Sequence, residues 1–155
     1  MAPAIEAAER ELWAWLRERH PRAAGAGGIE SLRAMRSAVA ARFPELAHDL
    51  TFLRRHALAQ LLEAAGYEAA AADRAFEVFY AARNRVACYA DVRPALARLA
   101  VRGPLYALSN GNADLALCGI AAYFAGHVSA RSVGAAKPDR RMFAALAERA
   151  GVACG

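Results

Sequence analysis

A chain of 155 residues carrying a net charge of +5 is long enough for one buried core, and a hydrophobic fraction of 57% argues against disorder. Alanine accounts for 43 of those residues, leaving 45 of about 88 larger than alanine, a balance that favours many helices over a thick sheet core because alanine forms helix well and buries little surface. Nineteen of the 20 basic residues are arginines, spread from Arg10 to Arg149 with no basic run longer than two, which excludes a concentrated nucleic-acid or acidic-membrane footprint and indicates a solvated surface.

Residues 3 to about 88 read as helical throughout. Ile5, Leu12, Trp15 and Leu16 share one face of a first helix ending at Pro21. The segment from Pro21 to Gly28 reads as a loop. Ile29, Leu32, Met35, Val39 and Phe43 form a second apolar stripe closed by Pro44. Leu50, Leu53, Ala57, Leu61 and Leu62 form a third, with Asp49 or Thr51 as N-cap and Gly66 as stop. Phe76, Phe79, Tyr80 and Arg83 lie along a fourth. Four antiparallel helices with short connections make a small bundle, and its aromatic stripes read as core packing.

From Asp91 the pattern alternates. Asp91 is placed to cap a helix with Pro94 in its first turn, closing near Gly103. Pro104 to Leu108 has the form of a buried parallel strand, and it stops at the turn Ser109-Asn110-Gly111-Asn112. A helix is expected from about Ala113, a second strand at His127-Val128-Ser129, and a last helix from Pro138 to Ala150 with Gly151 behind it. This order belongs to a parallel α/β sheet.

No uncharged stretch reaches the roughly 18 residues of a membrane span, and Glu6, Glu9 and Arg10 stand where a signal peptide needs an apolar core. Cys88, Cys118 and Cys154 are far apart and odd in number, a pattern of neither a disulfide framework nor a zinc site, and one that suits a reducing cytoplasm.

Ligands of open parallel sheets bind beyond the carboxyl ends of strands. Ser109 stands at such an end, where a hydroxyl, the Asn110 amide and the small Gly111 offer the parts to hold an oxyanion; the same tetrapeptide also serves as a plain turn. Lys137, the single lysine, follows the second strand and precedes Pro138, which sets it in extended backbone at a helix start. A compact ammonium with three rotatable donors suits a phosphate beside a carboxylate better than a guanidinium fork does.

The segment LSNGNADLA (Leu108 to Ala116) resembles the second motif of the haloacid dehalogenase (HAD) superfamily, and VGAAKPDRRMFAALAERAGV (Val133 to Val152) resembles its third. AERELWAWL, PELAHDLTFLRRHAL and YADVRPALARL are similar to the helical cap and the return to the core in its phosphatase branch, whose members act on flavin mononucleotide and a riboflavin-pathway pyrimidine phosphate. The resemblance implies an α/β fold: a partial HAD-type, Rossmann-like parallel sheet core over residues 89–155 with an N-terminal four-helix cap over residues 1–88. It implies phosphomonoester hydrolysis of a small phosphorylated metabolite through an aspartyl-phosphate, with Mg²⁺. In that chemistry Ser109 and Lys137 are the catalytic positions, Ser109 bonding the phosphoryl group and Lys137 offsetting its charge. Asn110, through its backbone amide, and Gly111 bind substrate. Arg83 and Arg85 stand either to meet a substrate anion or as solvated arginines at a helix C-terminus.

The superfamily's nucleophile lies in an Asp-x-Asp pair, and none of Asp49, Asp73, Asp91, Asp114 and Asp139 forms one. Its fourth motif, with carboxylates for Mg²⁺, belongs after Gly151. The expectation is therefore a partial sequence, inactive as it stands and prone to fold poorly, with a small phosphate ester as its ligand and neither nucleic acid nor membrane as partner. Two other readings stay open: a 2-haloacid dehalogenase, which shares both motifs, and a non-catalytic helical module that binds a protein partner.

Overall fold

The computed structural model describes residues 2–152, with side chains from residue 4 onward; Cys154 lies outside the described residues. The chain divides into two compact units, Met1–Arg85 and Val86–Gly155.

The first unit is helical: α1 (Ala2–Arg19), α2 (Pro21–Gly25), α3 (Ile29–Arg42), α4 (Leu50–Ala64) and α5 (Ala70–Asn84), with a 3₁₀ turn at Pro44–Leu46. α1 packs against α5, α5 against α4, and α4 against α3. Their apolar faces meet in one core built around Leu12, Leu16, Val39, Leu58, Leu62 and Phe79. Asp49 caps α4, its carboxylate accepting from the amides of Thr51 at 2.9 Å and Phe52 at 3.0 Å. Pro21 to Gly28 is not the continuous loop expected: Pro21 sits at the first position of the short α2, where its fixed φ suits a helix and its missing N–H costs nothing.

Among the described residues three charged side chains depart from the solvated surface expected of them. Glu9 is 3% exposed and lies in the bundle interior, and Arg54 on α4 and Arg83 on α5 are buried. Arg85 is exposed and pairs with Glu11.

The second unit contains α6 (Val92–Ala100), β1 (Tyr106–Ser109), β2 (Gly126–Ser129), α7 (Ala130–Val133) and α8 (Arg140–Ala150). β1 and β2 pair in parallel, Tyr106 opposite Gly126 and Ser109 opposite Ser129. Val128, Ala130, Ala135 and Met142 form a small core against which Leu108 and Leu146 pack. The first strand starts later than Pro104, which has no N–H for a ladder, and it extends through Ser109; its residues are half-buried rather than buried.

Four local expectations are corrected here. No helix forms from Ala113: Asp114 accepts from the amides of Ala116 and Leu117 at 2.7 and 3.1 Å, closing a single turn that ends at Gly119 with φ +68°. Asp91 precedes α6 without a side-chain cap bond. α7, not foreseen, starts from a reciprocal cap in which Ser129 Oγ accepts from the Ser132 amide at 3.2 Å and Ser132 Oγ accepts from the Ser129 amide at 3.1 Å. The last helix opens at Arg140, not Pro138: Asp139 is its N-cap, and the Lys137–Pro138 peptide bond is cis.

Candidate functional site

The carboxyl end of β1 and the loop between α7 and α8 come together within the second unit. The short α7 stops at Gly134, whose φ of +74° is open to glycine without strain, and the chain then turns back toward β1. Lys137 N donates to Asn110 Oδ1 at 2.7 Å, and Asn110 Nδ2 donates to the Lys137 carbonyl at 3.1 Å. The Asn110 side chain thus completes the backbone of a residue on another loop, much as a neighbouring strand would.

Lys137 Nζ reaches back to the strand end, donating to the Leu108 carbonyl at 2.8 Å. An ammonium has three donors; among the described residues only this one is engaged. The side chain is exposed, so the two remaining N–H groups face solvent at the strand terminus. Ser109 Oγ accepts from the Gly111 amide at 2.9 Å. That bond fills one lone pair and leaves the hydroxyl proton free to donate, since among the described residues Ser109 Oγ makes no other bond.

All four residues singled out in the sequence therefore meet at one place. Ser109 and Lys137 keep uncommitted donors, whereas the Asn110 side chain and the Gly111 amide are used to hold the loops. What pattern reading did not single out is Asp139, two residues beyond Lys137. It caps α8 through the Arg141 amide at 2.9 Å and pairs with the Arg141 guanidinium at 2.8 Å. Hydrogen bonds from the Arg141 side chain, and then from its backbone, pull the Asp139 carboxyl down to about 2. The Pro-Asp step before a helical run was the available signal for this cap.

Magnesium takes an octahedron of oxygens, usually including one or two carboxylates. Asp114 and Asp139 are each bound to amides or to arginine as described, and among the described residues no three His, Cys, Asp or Glu side chains gather to hold a metal ion. The described residues do not fit a magnesium site. A cleft of about 870 Å³ in the helical unit is lined by Trp15, His20, Tyr67, Arg74 and neighbours, none of which belongs to the Ser109–Lys137 set. Among the described residues no helix is long and apolar enough to cross a membrane.

A family model for haloacid dehalogenase-like hydrolases matches residues 1–155. The chain is 33% identical over 157 residues to the 5-amino-6-(5-phospho-D-ribitylamino)uracil phosphatase YigB of Escherichia coli K12, a match covering 99% of this chain and 66% of the relative. The crystal structure of a 2-haloacid dehalogenase from Pseudomonas syringae pv. Tomato DC3000 superposes with a TM-score of 0.89 at 39% identity, covering 97% of this chain and 67% of that one. The chain thus spans about two thirds of the length of both proteins.

Proposed function

The chain belongs to the haloacid dehalogenase-like hydrolases, and on that premise we propose that it supplies the phosphoryl-binding end of a phosphomonoester hydrolase acting on a small phosphorylated metabolite. The helical unit is its cap and the α/β unit part of its core. A cytoplasmic setting, expected from the cysteine pattern, belongs to the same reading.

The observation that carries the proposal is the free donor capacity at the end of β1. Lys137 Nζ is tethered by one bond to the Leu108 carbonyl, and the Ser109 hydroxyl is oriented by the Gly111 amide. A phosphoryl oxygen at that end receives the Ser109 O–H and one or two N–H groups of Lys137. Such charge-assisted bonds are about twice as strong as neutral ones, and they strengthen as negative charge builds on the transferring group. Preorganised donors of this kind contribute roughly 3 kcal/mol to a transition state. Asn110 acts here as a positioning residue, holding the Lys137 backbone through two bonds. Because none of the five aspartates stands in an Asp-x-Asp pair, this chain's share is binding and charge stabilisation, without the nucleophile. The superfamily's Mg²⁺ chemistry needs carboxylates other than those described.

A second reading has its own support, the dehalogenase at 39% identity, whose halide displacement from carbon would use the same strand end to hold a substrate carboxylate. The phosphatase similarity and the fit of a lysine to a phosphate favour phosphate transfer. The full reading frame that contains these residues should release phosphate from small phosphomonoesters in the presence of Mg²⁺ and no halide from 2-chloropropionate. Halide release without phosphate release would reverse the assignment.

A further inference from the structure

The interior of the helical unit holds a carboxylate with more cationic partners than it can neutralise. Glu9, 3% exposed, accepts from Arg33 Nε at 2.9 Å and from Arg54 Nη2 at 3.1 Å. Arg36 Nη1 stands 3.5 Å from the same carboxylate. Arg33 has a second partner in Glu30 at 2.7 Å, and Glu6 adds its field on that side. Arg33 is shared between Glu9, which takes two of its N–H groups, and Glu30, so among the described residues Glu9 faces three guanidiniums, of which Arg36 is the most loosely held.

Arg36 and Arg54 differ in what they still offer. Arg54 is buried, with its guanidinium carbon 3.6 Å from the centre of the Phe79 ring. Burial, and then repulsion from Arg36, lowers its pKa to about 10 even with Glu9 beside it, and Arg83 adds to the repulsion. Unneutralised charge in such a site is costly. Arg36 is the outer member, its side chain 31% exposed. Among the described residues its guanidinium makes no hydrogen bond; Nη1 faces Glu9, and the donors turned away from that carboxylate are available to a ligand from solvent.

We propose that Arg36 and Arg54 form an anion-binding site in the helical unit, taking one small oxyanion group, a phosphate or a carboxylate. Arg36 supplies the hydrogen bonds through its planar fork, which matches two oxygens of such a group, and Arg54 supplies the buried countercharge. The site lies wholly within the helical unit and does not depend on the phosphatase reading.

The test uses the 155-residue chain carrying Ser109→Ala and Lys137→Gln, which removes both strand-end donors so that the two sites are read apart. Inorganic phosphate and, separately, acetate are titrated while the side-chain Nε–H signals of Arg36 and Arg54 are followed by NMR and heat is followed by calorimetry. Saturable movement of both signals is expected, with tighter binding of whichever oxyanion the site prefers. Adding Arg36→Gln should weaken that binding by about tenfold or more, and Arg36→Lys should restore part of it, with the melting temperature held. Binding of both anions that is indifferent to Arg36→Gln and Arg36→Lys, or signals that stay still up to saturating phosphate and acetate, would overturn the proposal.

Discussion

Asn110 and Lys137, 27 positions apart, are joined by two reciprocal hydrogen bonds, the Lys137 amide donating to the Asn110 side chain at 2.7 Å and the Asn110 side chain donating to the Lys137 carbonyl at 3.1 Å. A side-chain amide used in this way sets the direction from which Lys137 approaches β1. It ties together two motifs that are remote in sequence, and from the loop so held the ammonium donates to the Leu108 carbonyl.

Removing the clasp should therefore act through Lys137. Asn110→Ala leaves the Lys137 amide and carbonyl to water and lets the loop wander, and the lost bonds are worth about 1 kcal/mol each. On the proposed phosphatase reading the expected result is a fall in kcat/KM of about tenfold or more with the fold retained. Circular dichroism and a phosphate-release assay check it together, and an Asn110→Ala enzyme with undiminished kcat/KM would remove Asn110 from the account.

Lys137→Arg keeps the charge and should still fail. The guanidinium is a rigid planar fork, unable to spend one donor on the Leu108 carbonyl while turning two others to the phosphoryl group from the same point. A loss of about 10²-fold in kcat is expected, with little change in melting temperature because Lys137 is exposed. Retention of wild-type kcat by Lys137→Arg would mean that charge alone matters.

Much of this architecture is legible in the residue order. The stripe of Leu12 and Leu16, that of Leu32 and Val39, and that of Leu53, Ala57 and Leu61 are helix faces that the core closes over, and β2 begins and ends within a residue of the pattern. What escapes is set by short-range competition or by three-dimensional neighbours. The stretch after Ala113 has helix-forming residues, and Asp114 caps a turn there through the amides of Ala116 and Leu117, but Gly119 in the left-handed region stops it after one turn. The Glu9-Arg10-Glu11 run looks solvated because nothing in its order announces that Arg33 and Arg54, from two other helices, close around Glu9. At the strand end, Ser109 and Lys137 are visible as residue types at topologically meaningful places; the use of Asn110 as a clasp requires the loop to be seen.

The buried Glu9 makes its own prediction. Burial pushes its carboxyl up, and bonds from Arg33 and Arg54 outweigh that and hold it below the usual range. Glu9→Gln removes the countercharge of a buried guanidinium and should destabilise the helical unit by about 3 kcal/mol, with added phosphate recovering part of the loss by mass action. Chemical denaturation with and without phosphate measures both effects, and a variant as stable as the parent would contradict the burial of an ion pair there.

Asp139 gives a pH signature. Its carboxyl is held at about 2 by the Arg141 side chain and backbone, below an unfolded value of about 3.9. A depressed folded value contributes stability that is complete above about pH 4 and is lost as pH falls through about 2. Asp139→Asn keeps a capping oxygen but cannot titrate, so the stability difference between parent and variant should narrow between pH 4 and pH 2. Parallel melting curves that keep a constant gap across that window would show that Asp139 is not linked to folding.

The central claim is that Ser109 and Lys137 form an oxyanion site at the end of β1. The most direct measurement is titration of the 155-residue chain with inorganic phosphate, followed through the backbone amide signals of Ser109, Asn110, Gly111 and Lys137. Saturable shifts of this set are expected, and they should vanish in the chain carrying both Ser109→Ala and Lys137→Gln while the signals of the helical unit keep their own response. Shifts that persist undiminished in the doubly substituted chain, or a β1 end that does not respond at saturating phosphate, would contradict that claim.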